Sequence, residues 1–286
     1  MAGIFKQVAV VFLHQALPIT GLVSGGEYMI LTVIDAANNY IFIFASMWAV
    51  CKKEFRQFFS SLTGYIAIIV FLLLTGLLLF VFPDTSILDF GYASLEKFFD
   101  LAPWVLLLLI PAISMRSFSE EFRGGTFEIL QSRPLTYWQI VNGKYLAAIF
   151  VILIALLPTW IYFFSVQQLS VQSGMDLGAT MASYIGLFFL TAVFASISLC
   201  CSSFTSNSIV AFITAGFACF LIYTGFHAVS RISTFPAGAD YFIDMIGIDF
   251  HYRNMSRGVI TIRDLVYFIT VIIFFLTLTR NNLFKR

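Results

Sequence analysis

Along this chain apolar residues gather in long blocks with short polar gaps between them, and a block of about 20 is what a helix needs to cross a bilayer. From Met47 onward the pattern predicts six spanning helices, at residues 64–82, 101–115, 146–166, 181–202, 209–229 and 265–279. The second block is short and carries Pro103 and Pro111. Pro103 suits a first helical turn, where a missing N–H costs nothing, whereas Pro111 should kink the helix. That helix is expected to run on past Met115 toward the headgroups.

Just before the first block the period changes. With about 100° between successive residues, Trp48, Cys51, Phe55, Phe58, Phe59 and Leu62 share one stripe, and Lys52, Lys53, Glu54, Arg56 and Gln57 occupy the rest. Such a helix lies in the membrane interface, aromatic face toward lipid and cations toward headgroups. The first 46 residues are less coherent. Their apolar patches are broken by Lys6, His14, Gln15 and Pro18, then by Asp35, Asn38 and Asn39. A charge at a span centre costs about 2.5–3.5 kcal/mol. Residues 1–46 therefore read as an over-long start or a weakly apolar extension, 47–63 as the interfacial helix, and 64–286 as a six-span domain.

Composition agrees with a membrane solvent: 60% of the residues are apolar, 11% are charged and the mean hydropathy is +0.93. Soluble domains carry about 25% charged residues, which is what covering a wet surface takes. A net charge of +1 argues against a nucleic-acid partner. The placement of the charges says more. If the residues before the first span are cytoplasmic, the inside segments hold Lys52, Lys53, Arg56, Arg116, Arg123, Arg133, Lys144, Arg280, Lys285 and Arg286. The outside segments hold only Lys97, Arg231, Arg253 and Arg257, with Arg263 at a boundary. The bias puts both termini in the cytoplasm. The fold class is all-α and polytopic.

No residue pattern carries catalysis. Gly143–Lys144 lacks the other residues of a phosphate-binding loop, and neither a His-Glu-x-x-His zinc motif nor a Gly-x-Ser-x-Gly turn occurs. His14, His227 and His251 are scattered, and no Asp or Glu pair lies inside a predicted span. Cys51, Cys200, Cys201 and Cys219 read as small apolar packers. The polar residues of the fourth and fifth spans, among them Thr191, Ser196, Ser198, Ser202, Ser203, Thr214, Gly216, Thr224 and Gly225, read as helix-packing positions. Asp240, Asp244 and Asp249 read as a solvated or substrate-facing surface rather than a metal site.

The most informative stretch joins the second and third spans, residues 119–136. Gly124 and Gly125 should end the helix leaving the membrane, and Thr126 should cap a short new helix over residues 127–132. Pro134 ends it, and Thr136 with Gln139 forms a capping box for the third span, with Leu135 and Ile140 at staple positions. A helix this short does not persist alone, because nucleation is costly. It should display Phe127, Glu128, Leu130 and Gln131 to a partner.

This run, with Trp138–Val141 and Gly143–Lys144 after it, resembles the coupling segment of ABC-2-type transporter permeases. The matching residues are Glu120, Glu121, Arg123, Gly124, Thr126, Glu128, Leu130 and Pro134, with Phe127 inside the same segment and Gly125 an extra residue against the motif. The stretch from Met47, together with Ser256–Ile260 and Arg263–Phe268, is similar to the branch associated with bacterial gliding motility. The resemblance covers residues 47–286. It implies an interfacial elbow helix, six spans and partial re-entry of the segment before the last span. It also implies the bacterial inner membrane, a cytoplasmic ATPase that uses the ATP at the coupling segment, and a second permease copy or paralogue. An auxiliary extracytoplasmic component and membrane lipid complete the expected partners, and this chain itself is expected to bind no cofactor. A stand-alone channel or secondary carrier would explain the spans but leave residues 120–134 without a purpose. A polytopic enzyme would need a catalytic cluster.

Overall fold

A computed structural model describes residues 26–82, 94–170, 176–231 and 239–285. The chain divides into two compact units, residues 1–44 and 45–286. In the first, residues 26–44 are helical; the rest of the expected extension, residues 1–25, lies outside the described residues. The helix expected to begin at Met47 starts earlier, because α1 runs unbroken over Gly26–Ser60. After Ser61 the chain turns by 71° into α2, Leu62–Phe80.

The second predicted span is α3, Glu96–Ser114, followed at once by α4, Arg116–Arg123. The expected continuation past Met115 is therefore observed. Pro103 lies well inside α3 rather than in its first turn, since the helix starts at Glu96. The break comes at Met115, one turn after Pro111, and the Met115 N–H donates to the Pro111 carbonyl. The short helix is α5, Thr126–Gln131.

The third span comprises α6, Tyr137–Leu156, a 3-10 turn at Leu157–Thr159, and α7, Trp160–Leu169. Pro158, which the hydrophobic pattern does not single out, causes that interruption by withholding an N–H from the helix ladder. The later spans are α8, Leu177–Phe204, and α9, Ser208–Ser230. Two short helices follow, α10 at Ala239–Ile246 and α11 at Ile248–Ser256, before the last span, α12, Ile262–Phe284. All regular structure among the described residues is helical. Five of these helices, or six if the bent pair around Ser61 counts as one span, are long and apolar enough to cross a membrane.

Helix α8 is the axis of the second unit. It packs against α3, α4, α6, α9, α11 and α12. Across its most apolar stretch 78% of residues are buried, against 22% in α9 and α12. Small side chains allow that crowding. Ser196, Ser198 and Ser203 turn their hydroxyls back to their own helix at 2.7 Å, so they fill space without leaving a polar atom unsatisfied. The fifth span differs: a Cβ added at Gly216 or Gly225 would meet nothing within 4 Å, so these two glycines are not packing positions within this chain.

Candidate functional site

The basic end of α8 receives the segment that the sequence singled out. Ser202, in the last turn of α8, is a junction. Its hydroxyl donates to the Met115 carbonyl at 2.9 Å and accepts from the Phe118 and Ser119 N–H groups at 3.1 and 3.2 Å. Those groups lie at the break between α3 and α4, where the first turn of a helix is short of internal partners. One serine thus seats the root of α4 on the central helix. Tyr137 and Phe284 meet edge to face at the same end, and the Asn282 amide donates to the Ser203 carbonyl at 2.7 Å.

A buried ionic node holds the other side of α4. The Lys144 side chain is fully buried, and its Nζ lies 2.8 Å from Glu54 Oε1 of α1, 3.0 Å from Glu121 Oε2 of α4 and 2.6 Å from the Ser117 carbonyl. The Phe118 ring faces the ammonium at 4.9 Å. Lys53 closes the arrangement from the more exposed side, donating to Glu121 Oε1 at 2.8 Å. Glu121 Oε2 accepts no well-formed hydrogen bond, so its contact with Lys144 is ionic rather than directional. Two cations and two carboxylates balance, which is the condition for burying charge at all. Helix α1 approaches close enough because α6 carries Gly143 there: an added Cβ would lie 2.8 Å from Val50 Cβ and 2.9 Å from the Met47 carbonyl.

The face of α1 that meets the rest of the protein is therefore not set by the aromatic stripe. Val50, Cys51 and Glu54 face protein, so the buried face lies to one side of the aromatic stripe and includes a residue read as part of the polar face. Trp48 keeps 46% of its surface and Leu62 keeps 74%.

At the tip, Gly125 ends the α4 turn at φ +65°, a backbone conformation that glycine adopts without strain. The expected helix break at Gly124 and Gly125 is present. Thr126 is not the cap, however. It occupies the first position of α5, Gly125 stands at the N-cap, and the Thr126 hydroxyl returns to the Glu121 carbonyl at 3.5 Å. The capping box is as read: Gln139 N–H donates to Thr136 Oγ1, and Thr136 N–H donates to Gln139 Oε1 at 2.7 Å.

The named residues separate into two groups. Arg123, Gly124, Gly125, Thr126, Glu128 and Pro134 are exposed, and Glu120 lies half-exposed beside Arg116 at 3.2 Å. Glu121 and Phe127 are buried. Phe127, expected at the surface, packs edge to face on Phe122 and joins Phe118, Ile140, Leu199 and Leu283 in a small core. Leu130 is half-buried against the same core. The apolar side chain that α5 does present is Ile129, 62% exposed, which the motif reading passed over. A helical wheel anchored on Phe127 would have found it, because residues two apart on a helix point well away from each other.

The opposite end of α8 holds the α10–α11 segment. His251 lies between two acceptors, Asp264 Oδ1 at 2.6 Å and the Met245 carbonyl at 3.0 Å, and stacks on Tyr267. Asp249, expected to be solvated, is buried beside Arg253, while Asp244 pairs with His227 at 3.0 Å. The Asp240 side chain lies outside the described residues. Ionisable groups are thus buried at both ends of the spans, a property that composition did not predict, and each carboxylate of these pairs lies beside a basic side chain.

The sequence profile of the ABC-2 family transporter proteins matches residues 48–243, which takes in the C-terminal part of α1, the stretch holding α4 and α5, and five of the predicted spans. No curated protein matches the chain closely enough to serve as a relative. With apolar helices built for multiple crossings and a profile match over most of its length, this chain belongs to the ABC-2 transporter family as a multi-pass membrane protein.

Proposed function

We propose that the chain is the permease subunit of an export-type ABC transporter in the bacterial inner membrane, driven by a cytoplasmic ATPase docked on α5. The observation that carries this is the exposed side of α5. Glu128, Ile129 and Gln131 face outward from a six-residue helix whose root is fixed by Lys144 and Ser202. A push on α5 passes through Phe127 and the buried node to α4, α6 and α1 together. Partner closure driven by ATP would then move α3 and α6 as a pair. The permease does no bond chemistry.

The basic end is assigned to the cytoplasm by its lysines and arginines, with the C-terminal end of α12 at that same end. The apolar, outward faces of α9 and α12 suit a second permease copy or paralogue, with the substrate path between the two. An auxiliary extracytoplasmic component would belong at the opposite end. A role in gliding motility rests on the resemblance of residues 47–59 and 256–268 to that branch.

The test is Ile129→Asp in the purified complex, reading ATPase retained and transport-linked ATP hydrolysis. A well-packed interface anchor contributes about 2 kcal/mol or more, so retention should fall at least tenfold with insertion unchanged. Leu130→Asp is the poorer probe, because Leu130 also packs inside the chain. Normal retention and hydrolysis in Ile129→Asp would remove α5 as the docking element and leave the stand-alone carrier as the better reading.

A further inference from the structure

The joint between the interfacial helix and the coupling hairpin is hollow. A cavity of about 410 Å³ opens where the end of α1, the start of α2, the α3–α4 break and α6 meet. That volume lies in the range of small-molecule sites, roughly 300–1,000 Å³. Its wall is ordered by polarity. Ala67, Ile113, Ala147, Val151 and Leu199 form the apolar part, and Gln57, Ser60, Arg116 and Glu120 contribute polar groups. Ser114 also lines the cavity, is 2% exposed, and its hydroxyl has no hydrogen-bond partner. A serine inside a helix ordinarily returns its hydroxyl to a carbonyl one turn back, and a buried hydroxyl left unpaired is costly. This one is available to a ligand oxygen.

From these features we propose that the cavity is a phospholipid site, with one acyl chain against the apolar wall, a glycerol ester oxygen accepting from Ser114 and the phosphate at Arg116. The charges lining the cavity balance, Arg116 and Lys144 against Glu54 and Glu120, and the exposed Lys52 and Arg56 of α1 add cations on the adjoining helix for an anionic headgroup. Position favours it as well, because α1 turns by 71° into an apolar span beside the opening, where a headgroup region would lie. The lipid would wedge between the interfacial helix and the root of α4. The site stands on its own geometry and does not depend on an ATPase docking at α5.

The test uses the purified full chain, stripped of lipid in detergent and titrated with phosphatidylglycerol. Native mass spectrometry should find one tightly held lipid, and the melting temperature should rise with added lipid. Ala147→Phe, which fills the wall, should abolish both responses. Arg116→Gln should weaken the apparent affinity severalfold. Equal lipid retention and an equal melting response in wild type and Ala147→Phe would overturn the proposal. Against misfolding of that variant, the unmodified chain is also irradiated with a phosphatidylglycerol carrying a photoreactive acyl chain. Adducts on residues 112–117 and 147–151 support the site, and adducts confined to α9 and α12 overturn it.

Discussion

The two ends of α8 each hold a pair of short helices, and they hold them differently. At the basic end the root is buried and the tip is free: α4 is fixed through Ser119 and Glu121, while α5 buries only Phe127 among its six residues. At the opposite end the second helix is itself the plug. Ile248, Asp249, His251, Tyr252 and Met255 of α11 are all buried, and the Tyr252 hydroxyl donates to the Phe99 carbonyl at 2.6 Å. Ser183 donates to the Ser256 carbonyl, and Gly186 gives Met255 the room to approach α8. Length and polarity alone would class the pairs together. Their burial shows that one ends in an open surface and the other is part of the core.

The strongest way to break this contrast is Lys144→Met. It leaves Glu54 and Glu121 with only the half-exposed Lys53 between them, and breaking a buried pair costs about 3–5 kcal/mol. Thermal melting in detergent should show the largest loss of any single change at the basic end. Adding Glu121→Gln should recover part of that loss. No recovery would mean that the packing of the lysine stem, not charge balance, holds α4.

At the other end, Asp264→Asn removes a charge from a buried contact but keeps one acceptor. A hydrogen bond to a charged group contributes about 1.5–3 kcal/mol, so the melting loss should be smaller. The α10–α11 pair should also become more open to hydrogen exchange, whereas α5 should not. Simultaneous exposure of both ends would show that α8 couples them rather than separating them.

Gly143→Val tests how closely α1 must approach α6. Overpacking typically costs about 1–3 kcal/mol, here concentrated at the contact between α1 and α6. The expected sign is increased protease cleavage within residues 45–60 with the α11 end unaffected. Finally, Ile129→Asp should change melting by no more than about 0.5 kcal/mol, because the side chain touches little of its own protein. A large loss there would mean that α5 is a structural plug like α11.

Much of the architecture was legible because it is local. Block length located the apolar helices, the adjacent glycines located the break after Arg123, and Thr136 with Gln139 located the start of α6. Each depends on residues within one or two turns of each other, so periodicity and capping chemistry suffice. The stretch between the second and third spans was legible as a segment but not residue by residue. Thr126 and Gly125 exchanged roles at the cap, Phe127 turned inward, and Ile129 emerged as the outward apolar side chain. Those outcomes depend on which face of a six-residue helix meets Phe118 and Phe122, and so short a helix has too little periodicity to declare a face.

What the sequence determined by itself is the solvent of this protein, its helices and the segment between the second and third spans, since hydropathy and helix ends are properties of neighbouring residues. Tertiary structure alone decided that Lys144 is buried and what neutralises it. Its partners are Glu54, 90 residues earlier, and Glu121, on a different helix, and nothing local distinguishes those glutamates from solvated ones. The same holds for Ser202, one serine among several in α8 until the break at Met115 is packed beside it. Buried polar groups take partners wherever the chain brings them, because leaving them unpaired costs more than any local preference can supply.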